Sequence, residues 1–455
     1  MTTVEYPAVP TEDAAAAVDR RERELLAAAQ RYSFRGRIDT SAFSGPVFAS
    51  ARGSVVTDLH GNDYLDFNSG QMCAALGHNH PRILAAIQEA CATMLHAHSS
   101  HFNVKEIELA ARLGELLPDP LTRSLFGASG ADANELALLL ARIYTGGREV
   151  FSPHVSYHGL SAGTRSLTFA GWRRSHDPQS GDAHAILAPY CYRCPLAKSF
   201  PSCGFACLDA SFELVDAQST GQPAAVITEP LFSAGGVIDP PQGWLARLRD
   251  LCHERGMLLV VDDEQTGLGK LGTMFGFIDE DGTEVVPDIV TLAKHLGGGV
   301  DLSSVTTTDE IEAKVVDAGL TVTRSHSNDP LPCAAGIASI DIVVEEDVPA
   351  KARALGRRLR EHLTALGEKF DLIGDIRGRG MLIGIELVRD RDSKEPAYDE
   401  GNEIGRRCFE AGLIFSMRRG GSVLRFVPPA STTLSQVDQG METFAKVLEE
   451  VCAGS

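Results

Sequence analysis

Buried strands alternate with an amphipathic helix in the middle of this chain. Apolar runs typical of buried strands occur at 224–230 (AAVITEP), 257–263 (MLLVVDD), 288–294 (DIVTLAK) and 302–308 (LSSVTTT). Between the first two runs, GWLARLRDLCHERG at 243–256 has the apolar period of a helix and ends at a glycine. Because strand, helix and strand in this order favour parallel pairing, we predict an α/β fold with a mostly parallel sheet covered by helices.

The chain is long enough to form more than one domain. Its 455 residues exceed what a single hydrophobic core usually holds. Two helical stretches, 334–345 and 349–367, precede a strand-rich segment, which predicts a smaller α+β domain at the end of the chain. We therefore expect an N-terminal arm with part of the small domain (1–60), a large ligand-binding domain (61–330) and a C-terminal small domain (331–455).

Composition restricts the class of ligand. The formal charge is -19, with acidic residues spread along the chain, which argues against nucleic-acid binding and favours a small-molecule ligand. No run approaches the roughly 18 apolar residues of a membrane span, and the N-terminus does not resemble a secretory signal. Ten scattered cysteines in a chain of this length indicate reduced thiols, so we expect a cytoplasmic location without a membrane partner.

Three ionisable residues follow the predicted parallel strands. Asp262, Glu229 and Lys294 should lie together, because ligands of such sheets bind beyond the carboxyl ends of the strands. Partial burial should lower the pKa of Lys294 and free its amine for a Schiff base, although it could also be a surface lysine before a turn. Asp262 could pair with a pyridinium nitrogen, or serve as a helix cap or structural ion-pair partner.

Two further motifs suit anionic ligands. GASGADANE at 127–135 leads into a helix, whose first N–H groups could bind a phosphate; the alternative is an ordinary cap with Asp132 in the first turn. Arg425 lies between apolar residues in VLRFVPP, where an arginine often binds a carboxylate in fork geometry. That carboxylate could belong to a substrate or to an internal Asp or Glu.

The order of these motifs resembles that of the class III (ω-type) aminotransferases of PLP fold type I. The resemblance extends from about residue 45 to 450, and the most similar member is 2,2-dialkylglycine decarboxylase. The matching segments are DFNSGQMCAALGHNHP, SGADANE, SYHG, DEQTGLGKLGTMFGF, PDIVTLAKHLGGG, SHSNDPLP, IRGRGMLIGIEL and LRFVPP. The resemblance implies pyridoxal 5'-phosphate (PLP) as the cofactor and a large and a small domain.

The same resemblance assigns residues to the cofactor ring. Lys294 would form the Schiff base and then move the proton, and Asp262 would pair with the ring nitrogen. Gln265 would lie near the ring hydroxyl. Tyr157 would stack on one face of the ring, with His158 beside it. Glu229, which follows a neighbouring strand, is also assigned to the cofactor site.

Other residues are assigned to the cofactor phosphate, the substrate and a metal. The phosphate would be held by Ser129, Gly130 and Ala131, and by Ser325 of a neighbouring subunit, which implies a homodimer or a tetramer built from it. Gln71 and Ser233 would line the substrate side, and Arg425 would hold a substrate carboxylate. An alkali-metal ion would bind at Ser99, Ser325 and Asp329.

Two departures from the family pattern affect substrate recognition. Ala234 stands where many ω-aminotransferases have a glutamate that pairs with the arginine, and where the decarboxylase has a serine. Arg425 should therefore always be available to a carboxylate. Asp301 replaces a usual proline and could simply be a turn acid.

The largest departure is Glu264, where the family has a small apolar residue. Strand alternation puts Glu264 on the side of Asp262 and turns Asp263 away. Two carboxylates near one pyridinium would split their pKa values, one of them raised, which would suit a catalytic role. The alternative is that the strand ends early and Glu264 pairs with a basic neighbour such as Lys270.

A cysteine-rich segment at 191–207 could bind a zinc ion. Cys191, Cys194, Cys203 and Cys207 form a CxxC and a CxxxC with a plausible zinc spacing, separated by only eight residues. We consider a structural zinc and, as the alternative, a Pro/Cys-rich loop at the active site.

The sequence therefore predicts a PLP-dependent enzyme acting on an α-amino acid or amine, by transamination or decarboxylation-linked transamination. A first alternative is a specialised biosynthetic PLP enzyme that performs β- or γ-elimination, or forms carbon–carbon bonds through a quinonoid. Such an enzyme could act on an amino acid derived from S-adenosylmethionine. A second alternative, from another class, is a non-catalytic ligand-binding protein on the same fold.

Overall fold

The computed structural model describes residues 12–34, 46–170 and 181–454. The strands are β1 (Phe48–Arg52), β2 (Val55–Asp58), β3 (Asp63–Asp66), β4 (Leu121–Gly127), β5 (Glu149–Pro153), β6 (Ala183–Ile186), β7 (Pro223–Thr228), β8 (Leu258–Asp262), β9 (Ile289–Leu292), β10 (Ser303–Thr308), β11 (Ile373–Arg379), β12 (Leu382–Asp390), β13 (Glu395–Pro396), β14 (Leu413–Ile414), β15 (Ser416–Arg418) and β16 (Val423–Phe426).

The α-helices are α1 (Glu12–Tyr32), α2 (Ser69–Met72), α3 (Pro81–Thr93), α4 (Val104–Leu116), α5 (Gly130–Thr145), α6 (Ala162–Leu167), α7 (Ala206–Gln218), α8 (Trp244–His253), α9 (Asp309–Asp317), α10 (Pro330–Glu345), α11 (Val348–Lys369), α12 (Tyr398–Glu410) and α13 (Leu434–Ala453). Short 3-10 helices occupy Cys191–Arg193, Lys294–Gly297 and Arg419–Gly421. Within the described ranges, no helix combines the length and the apolar character needed to cross a membrane.

A seven-stranded sheet forms the centre of the large domain. Its strand order is β4-β10-β9-β8-β7-β5-β6, and the pairs from β9 to β6 are all parallel. Strand β10 is antiparallel to both β4 and β9. Only residues 293–302 connect β9 to β10, which is too short for the crossover of about a dozen residues that parallel pairing requires. The predicted α/β class, with its mostly parallel sheet, is confirmed.

The strands end earlier than the apolar runs suggest. β7 stops at Thr228, β8 at Asp262 and β9 at Leu292, so that Glu229 and Lys294 lie just beyond the sheet. Lys294 takes a left-handed backbone conformation with φ 46°, which ends the extended run. The chain therefore turns at this edge, and the polar side chains that follow the strands gather there.

Two smaller sheets complete the fold. In the first, with order β1-β2-β3-β14, strand β14 pairs in parallel with β3. The second has the order β11-β12-β16-β15, with β13 paired to β12. The N-terminal strands thus share a sheet with a strand near the C-terminus. The division at residues 60 and 330 stays a prediction.

Candidate active site

The carboxyl ends of three adjacent parallel strands form the centre of the site. Glu229 follows β7, Asp262 ends β8, and Lys294 lies two residues beyond β9. Asp262 and Glu229 are buried, and the Lys294 side chain is mostly buried. The edge predicted from the sequence is thus the one at which these ionisable side chains collect.

Asp262 is held by hydrogen bonds to neutral groups and to a histidine. Its Oδ2 accepts from Asn134 Nδ2 at 2.9 Å and lies 2.7 Å from His158 Nδ1. The other ring nitrogen of His158 is 3.1 Å from the Ser152 hydroxyl. His158 is thus held by Ser152 and in turn fixes the orientation of the Asp262 carboxylate, in the way that a histidine–carboxylate pair orients a ligand group.

Asn134 is a site residue that the sequence interpretation missed. The same Nδ2 that contacts Asp262 also lies 3.2 Å from Glu264 Oε1, and Asn134 Oδ1 accepts from the Thr291 hydroxyl at 2.8 Å. The side chain is fully buried on α5. The sequence offered one signal, an amide side chain on the helix just before the apolar run LALLL. A polar group buried there needs hydrogen-bond partners, which indicates a role in the site.

Lys294 contacts Glu264 directly. Its Nζ lies 3.1 Å from Glu264 Oε2. Burial alone would lower the pKa of Lys294, but the negative charges of Glu264 and Asp262 outweigh burial and raise it. The expectation that burial frees the amine by lowering its pKa is therefore wrong for the protein without a ligand, since the sequence did not reveal this carboxylate partner.

Glu264 faces the same side as Asp262, although the strand ends before it. Burial and the charge of Asp262 raise the pKa of Glu264 to about 7. The strand does end early, as the alternative reading held, but the basic partner is Lys294 and not Lys270. Lys270 is itself buried, and its Nζ donates to Met72 O at 3.4 Å.

Asp263 points away from Lys294, as strand alternation predicts. Its carboxylate accepts hydrogen bonds from the Thr266 hydroxyl and from Gly276 N, the latter at 2.9 Å. Burial raises the pKa of Asp263 to about 7. These contacts give Asp263 a structural role in the turn after β8.

The start of α5 contains the residues that the resemblance assigns to the cofactor phosphate. Ser129 is the N-cap in extended conformation, and its hydroxyl accepts from Asp132 N at 3.3 Å and donates to Asp132 Oδ2 at 2.9 Å. Gly130 and Ala131 follow in the first turn. The ordinary cap is therefore present, and the first turn lies beside Glu264, because a Cβ on Gly130 would come within 1.9 Å of Glu264 Oε2.

Glu229 anchors two backbone segments. Its Oε1 accepts from Tyr157 N at 2.9 Å and its Oε2 accepts from Ser233 N at 3.2 Å. Burial, together with the charge of Asp262, raises the pKa of Glu229 well above its ordinary value. Glu229 thereby connects the segment that carries the half-buried Tyr157 to the segment that carries Ser233.

Arg425 is completely buried on β16 without a carboxylate partner among the described residues. Its Nη1 donates to Ser233 Oγ at 2.8 Å and reaches Gln265 Oε1 at 3.5 Å, while Nε donates to Ser416 Oγ at 2.8 Å. Nη2 is buried without a hydrogen-bond partner. The internal-carboxylate alternative is wrong, and burial together with the charge of Arg418 lowers the pKa of Arg425.

Two residues assigned to the substrate side or to a neighbouring subunit are exposed in this chain. Gln71 lies in α2, where its backbone has a non-helical φ of -104°. Ser325 is exposed in the segment before α10. The departures are placed as well: Ala234 is half-buried beside Ser233, and Asp301 is exposed in the turn before β10.

The region assigned to an alkali-metal ion contains a different set of side chains. Asp329 Oδ1 lies 2.6 Å from His96 Nδ1, and Asp329 Oδ2 lies 2.8 Å from His326 Nδ1. Both carboxylate oxygens are thus already engaged by histidines that the sequence did not suggest. Ser99 is half-buried nearby in sequence to His96, and the alkali ion at Ser99, Ser325 and Asp329 stays a prediction.

The four cysteines line one small pocket with an otherwise apolar wall. Cys191, Cys194, Cys203 and Cys207 surround it together with Phe200, Phe205 and their neighbours. In the described part of the chain, no three of these sulfur atoms lie within 4.8 Å of one another. A tetrahedral zinc with bonds of about 2.3 Å needs closer sulfurs, so these thiols are not arranged as a zinc site, and zinc binding stays a prediction.

Comparisons with known proteins show the family of the chain. The family model described as aminotransferase class-III matches residues 42–448. The chain belongs to the class-III aminotransferases. An uncharacterized aminotransferase of Schizosaccharomyces pombe is 39% identical over 410 residues, which cover 89% of this chain and 91% of that protein. A leucine/methionine racemase of Thermococcus litoralis is 34% identical over 442 residues, or 95% and 97% of the two chains.

Solved structures give the same result. An aminotransferase of Bacillus anthracis has a TM-score of 0.89 at 28% identity, covering 95% of this chain and 99% of that one. Membership of this family confirms PLP fold type I and makes the protein a PLP-dependent enzyme. The reading as a non-catalytic binding protein is thereby excluded.

The residues of this chain fit PLP at three points. A buried carboxylate at Asp262 suits the ring nitrogen, the first turn of α5 suits the phosphate, and Lys294 supplies an amine at the same strand edge. The unpartnered Nη2 of Arg425 suits a substrate carboxylate. A methyl group on Gly130 would lie 1.9 Å from Glu264 Oε2, so this carboxylate rests directly against the start of α5.

Proposed function

We propose that this enzyme is an aminotransferase of α-amino acids, in which Arg425 binds the α-carboxylate of the substrate. The observation that carries the proposal is a buried guanidinium without a carboxylate partner among the described residues and with Nη2 unpaired. A buried cation of this kind is strongly destabilised until an anion reaches it. Ala234 contributes by leaving the place beside Ser233 without an acidic side chain that could take that role.

The remaining roles follow from position. When bound, PLP supplies an electron-accepting ring that stabilises negative charge at the substrate Cα. Asp262 holds the proton of the ring nitrogen, and Tyr157 covers the ring. Lys294 moves the proton at its Nζ during the transfer, and the first turn of α5 (Ser129, Gly130, Ala131) binds the phosphate. Gln265 and Ser233 orient the guanidinium of Arg425 toward the substrate carboxylate.

A matched pair of amino donors tests the role of Arg425. Alanine and isopropylamine differ only in that a methyl group replaces the carboxylate. Arg425→Leu should lower kcat/KM for alanine at least ~30-fold, because one partner of a buried charge pair is lost, and leave kcat/KM for isopropylamine nearly unchanged. An equal loss with both donors would refute carboxylate recognition by Arg425.

Trapping the cofactor tests the role of Lys294 separately. Borohydride reduction of the holoenzyme should leave a pyridoxyl group on the peptide that contains Lys294, detectable by mass spectrometry. Lys294→Ala should remove both this label and the visible absorbance of the bound cofactor. A label on another lysine would overturn the assignment.

Racemisation is a second candidate, favoured by one relative and one contact. The racemase of Thermococcus litoralis is 34% identical to this chain, and Glu264 places a second acid–base group against Lys294. A single enantiomer of leucine or methionine, incubated without a keto acid, would then yield its mirror image. Chiral chromatography distinguishes the two reactions, since transamination without an acceptor stops after one turnover.

We also propose that the active enzyme is a cytoplasmic homodimer. Ser325 is exposed in this chain, which is consistent with a contact to the cofactor phosphate of a neighbouring subunit. The ten free cysteines support a reducing compartment. Decarboxylation-linked transamination, and the elimination or carbon–carbon chemistry considered above, stay predictions.

A further inference from the structure

Glu264 occupies a position built to hold a carboxylate against Lys294. Its Oε2 lies 3.1 Å from Lys294 Nζ, and its Oε1 lies 3.2 Å from Asn134 Nδ2. The side chains of Glu264 and Lys294 are 9% and 18% exposed, so water screens their attraction little. The pair is therefore unlike the exposed ion pairs whose net contribution is small.

The backbone beside Glu264 is shaped around its carboxylate. A Cβ at Gly130 would come within 1.9 Å of Oε2 and 2.2 Å of Oε1, closer than any side chain permits. Gly130 is the first residue of α5, where the helix dipole favours negative charge. A cation, an amide N–H and a helix N-terminus thus converge on one carboxylate, which fixes its place within the site.

Glu264 and Lys294 each affect the pKa of the other. Burial and Asp262 raise the pKa of Glu264 to about 7, and Glu264 with Asp262 raises that of Lys294 against the effect of burial. The other titratable groups that act on this pair or are affected by it are Asp262, Glu229, Cys73, Lys270, Tyr157 and His295. Of these, Asp262 is the second anion of the cluster and is linked to Glu264 through Asn134.

We propose that Glu264 is a further catalytic residue, the partner that stores the proton of Lys294. Its carboxylate stabilises the Lys294 ammonium whenever that side chain is free, and it takes the proton when Nζ reacts. In this transfer an N–H bond of the ammonium breaks, an O–H bond forms at Oε2, and the electron pair stays on the nitrogen. Two buried charges become two neutral groups, and the proton remains inside the site. This inference rests on the proposed role of Lys294.

Competitive labelling of the apoenzyme tests the first half of the inference. Acylation of the Lys294 amine is followed across pH by mass spectrometry of its peptide. Glu264→Gln keeps the shape but removes the charge, and should lower the titration midpoint of Lys294 by at least about one unit, which is roughly tenfold faster labelling at a fixed pH below the midpoint. Glu264→Val should do the same, which protects the test against a single misfolded variant.

Asp263→Asn is the matched control. Asp263 is equally buried and adjacent in sequence, but its hydrogen bonds go to Thr266 and Gly276. The Lys294 titration should therefore not change in this variant. A midpoint that is the same in wild type and Glu264→Gln would overturn the inference, as would an equal shift in Asp263→Asn.

Infrared difference spectroscopy tests the second half. The spectrum of the enzyme with PLP minus that of the apoenzyme, at pH 7.5, should gain a protonated carboxyl band that Glu264→Gln lacks. No such band in the wild type, or the same band in the variant, would refute proton storage at Glu264. Failure of the borohydride label on Lys294 would instead refute the proposed function, so the two failures are distinguishable.

Discussion

The guanidinium of Arg425 donates from Nη1 to Ser233 Oγ at 2.8 Å and has no carboxylate partner among the described residues. A hydroxyl orients the guanidinium without neutralising it. The cation is therefore positioned in advance, and its charge is still available to the substrate, which is the arrangement that an electrostatic binding site requires.

Removing the Ser233 hydroxyl should loosen this preorganisation. We expect Ser233→Ala to raise KM for α-amino acids about 10-fold with kcat little changed, since a hydrogen bond to a charged group is worth about 1.5 kcal/mol at the lower end. Steady-state kinetics with alanine checks this. Ser422→Ala is the control, because Ser422 is buried nearby but donates to Arg419 O. A similar rise in that variant would point to general disturbance of the small domain.

Replacing Asp262 should remove the electrostatic partner of the cofactor ring. We expect Asp262→Asn to lower kcat by about 100- to 1000-fold, a loss typical of a preorganised charged group, with cofactor still bound. His158→Asn should cost less, because Asp262 keeps its hydrogen bond from Asn134 at 2.9 Å. Single-turnover rates with matched cofactor content test this order. Greater loss in His158→Asn than in Asp262→Asn would show that the histidine acts on its own.

Lys270 should reduce stability at neutral pH. Burial lowers its pKa from 10.5 to about 7, so the unfolded chain binds more protons than the folded protein between these values. Stability should therefore be lost as pH falls from about 10 to about 7. Lys270→Met should raise the free energy of unfolding of the apoenzyme by roughly 2 to 4 kcal/mol at pH 7, and by much less at pH 10.

Urea unfolding at the two pH values measures the effect of Lys270. The exposed Lys446 offers a control, because Lys446→Met should change stability by less than about 0.5 kcal/mol at either pH. A gain from Lys270→Met that does not depend on pH would mean that improved packing, and not removal of a buried charge, is responsible.

Two inactive variants should complement one another if Ser325 acts across a dimer interface. Lys294→Ala removes the amine, and Ser325→Asp places a negative charge near the phosphate of the other subunit. A mixed dimer then has one site with both defects and one site with neither, so random pairing should restore about a quarter of the wild-type sites. Activity assays of co-expressed, co-purified variants test this. Complete absence of activity in a verified mixed dimer would place Ser325 in its own subunit's site, and an active Ser325→Asp homodimer would place it outside the site.

The sequence was sufficient for the fold class and for the strand edge that carries the site. Apolar runs separated by a helical period predict parallel strands, and Asp262, Glu229 and Lys294 lie at the ends of three of them. The sequence did not show which side chains form hydrogen bonds with one another. The bonds of Asp329 to His96 and His326 join segments 233 and 3 residues apart in sequence, and only the first of these required the fold.

The direction of the Lys294 pKa shift could not be predicted from the sequence. Burial could be inferred from the strand, and burial alone predicts a lower pKa. The contact with Glu264 reverses that direction. Strand alternation predicts the side on which Glu264 lies, but it does not predict which basic group Glu264 contacts. The distance between the two side chains, 3.1 Å, is therefore information that only the folded structure provides.

The hydroxyl of Thr291 affects the carboxylates of Asp262 and Glu264 indirectly, through the side-chain amide of Asn134. It donates to Asn134 Oδ1, while Asn134 Nδ2 faces three acceptor oxygens, His158 O at 3.0 Å, Asp262 Oδ2 at 2.9 Å and Glu264 Oε1 at 3.2 Å. Both ends of the amide are therefore paired in this orientation. If the amide turned over, its oxygen would oppose both carboxylates and drive a proton onto one of them. Thr291→Val replaces this hydroxyl by a methyl group. It would leave Asn134 Oδ1 without its donor and weaken the orientation in which the amide N–H groups stabilise the two carboxylates.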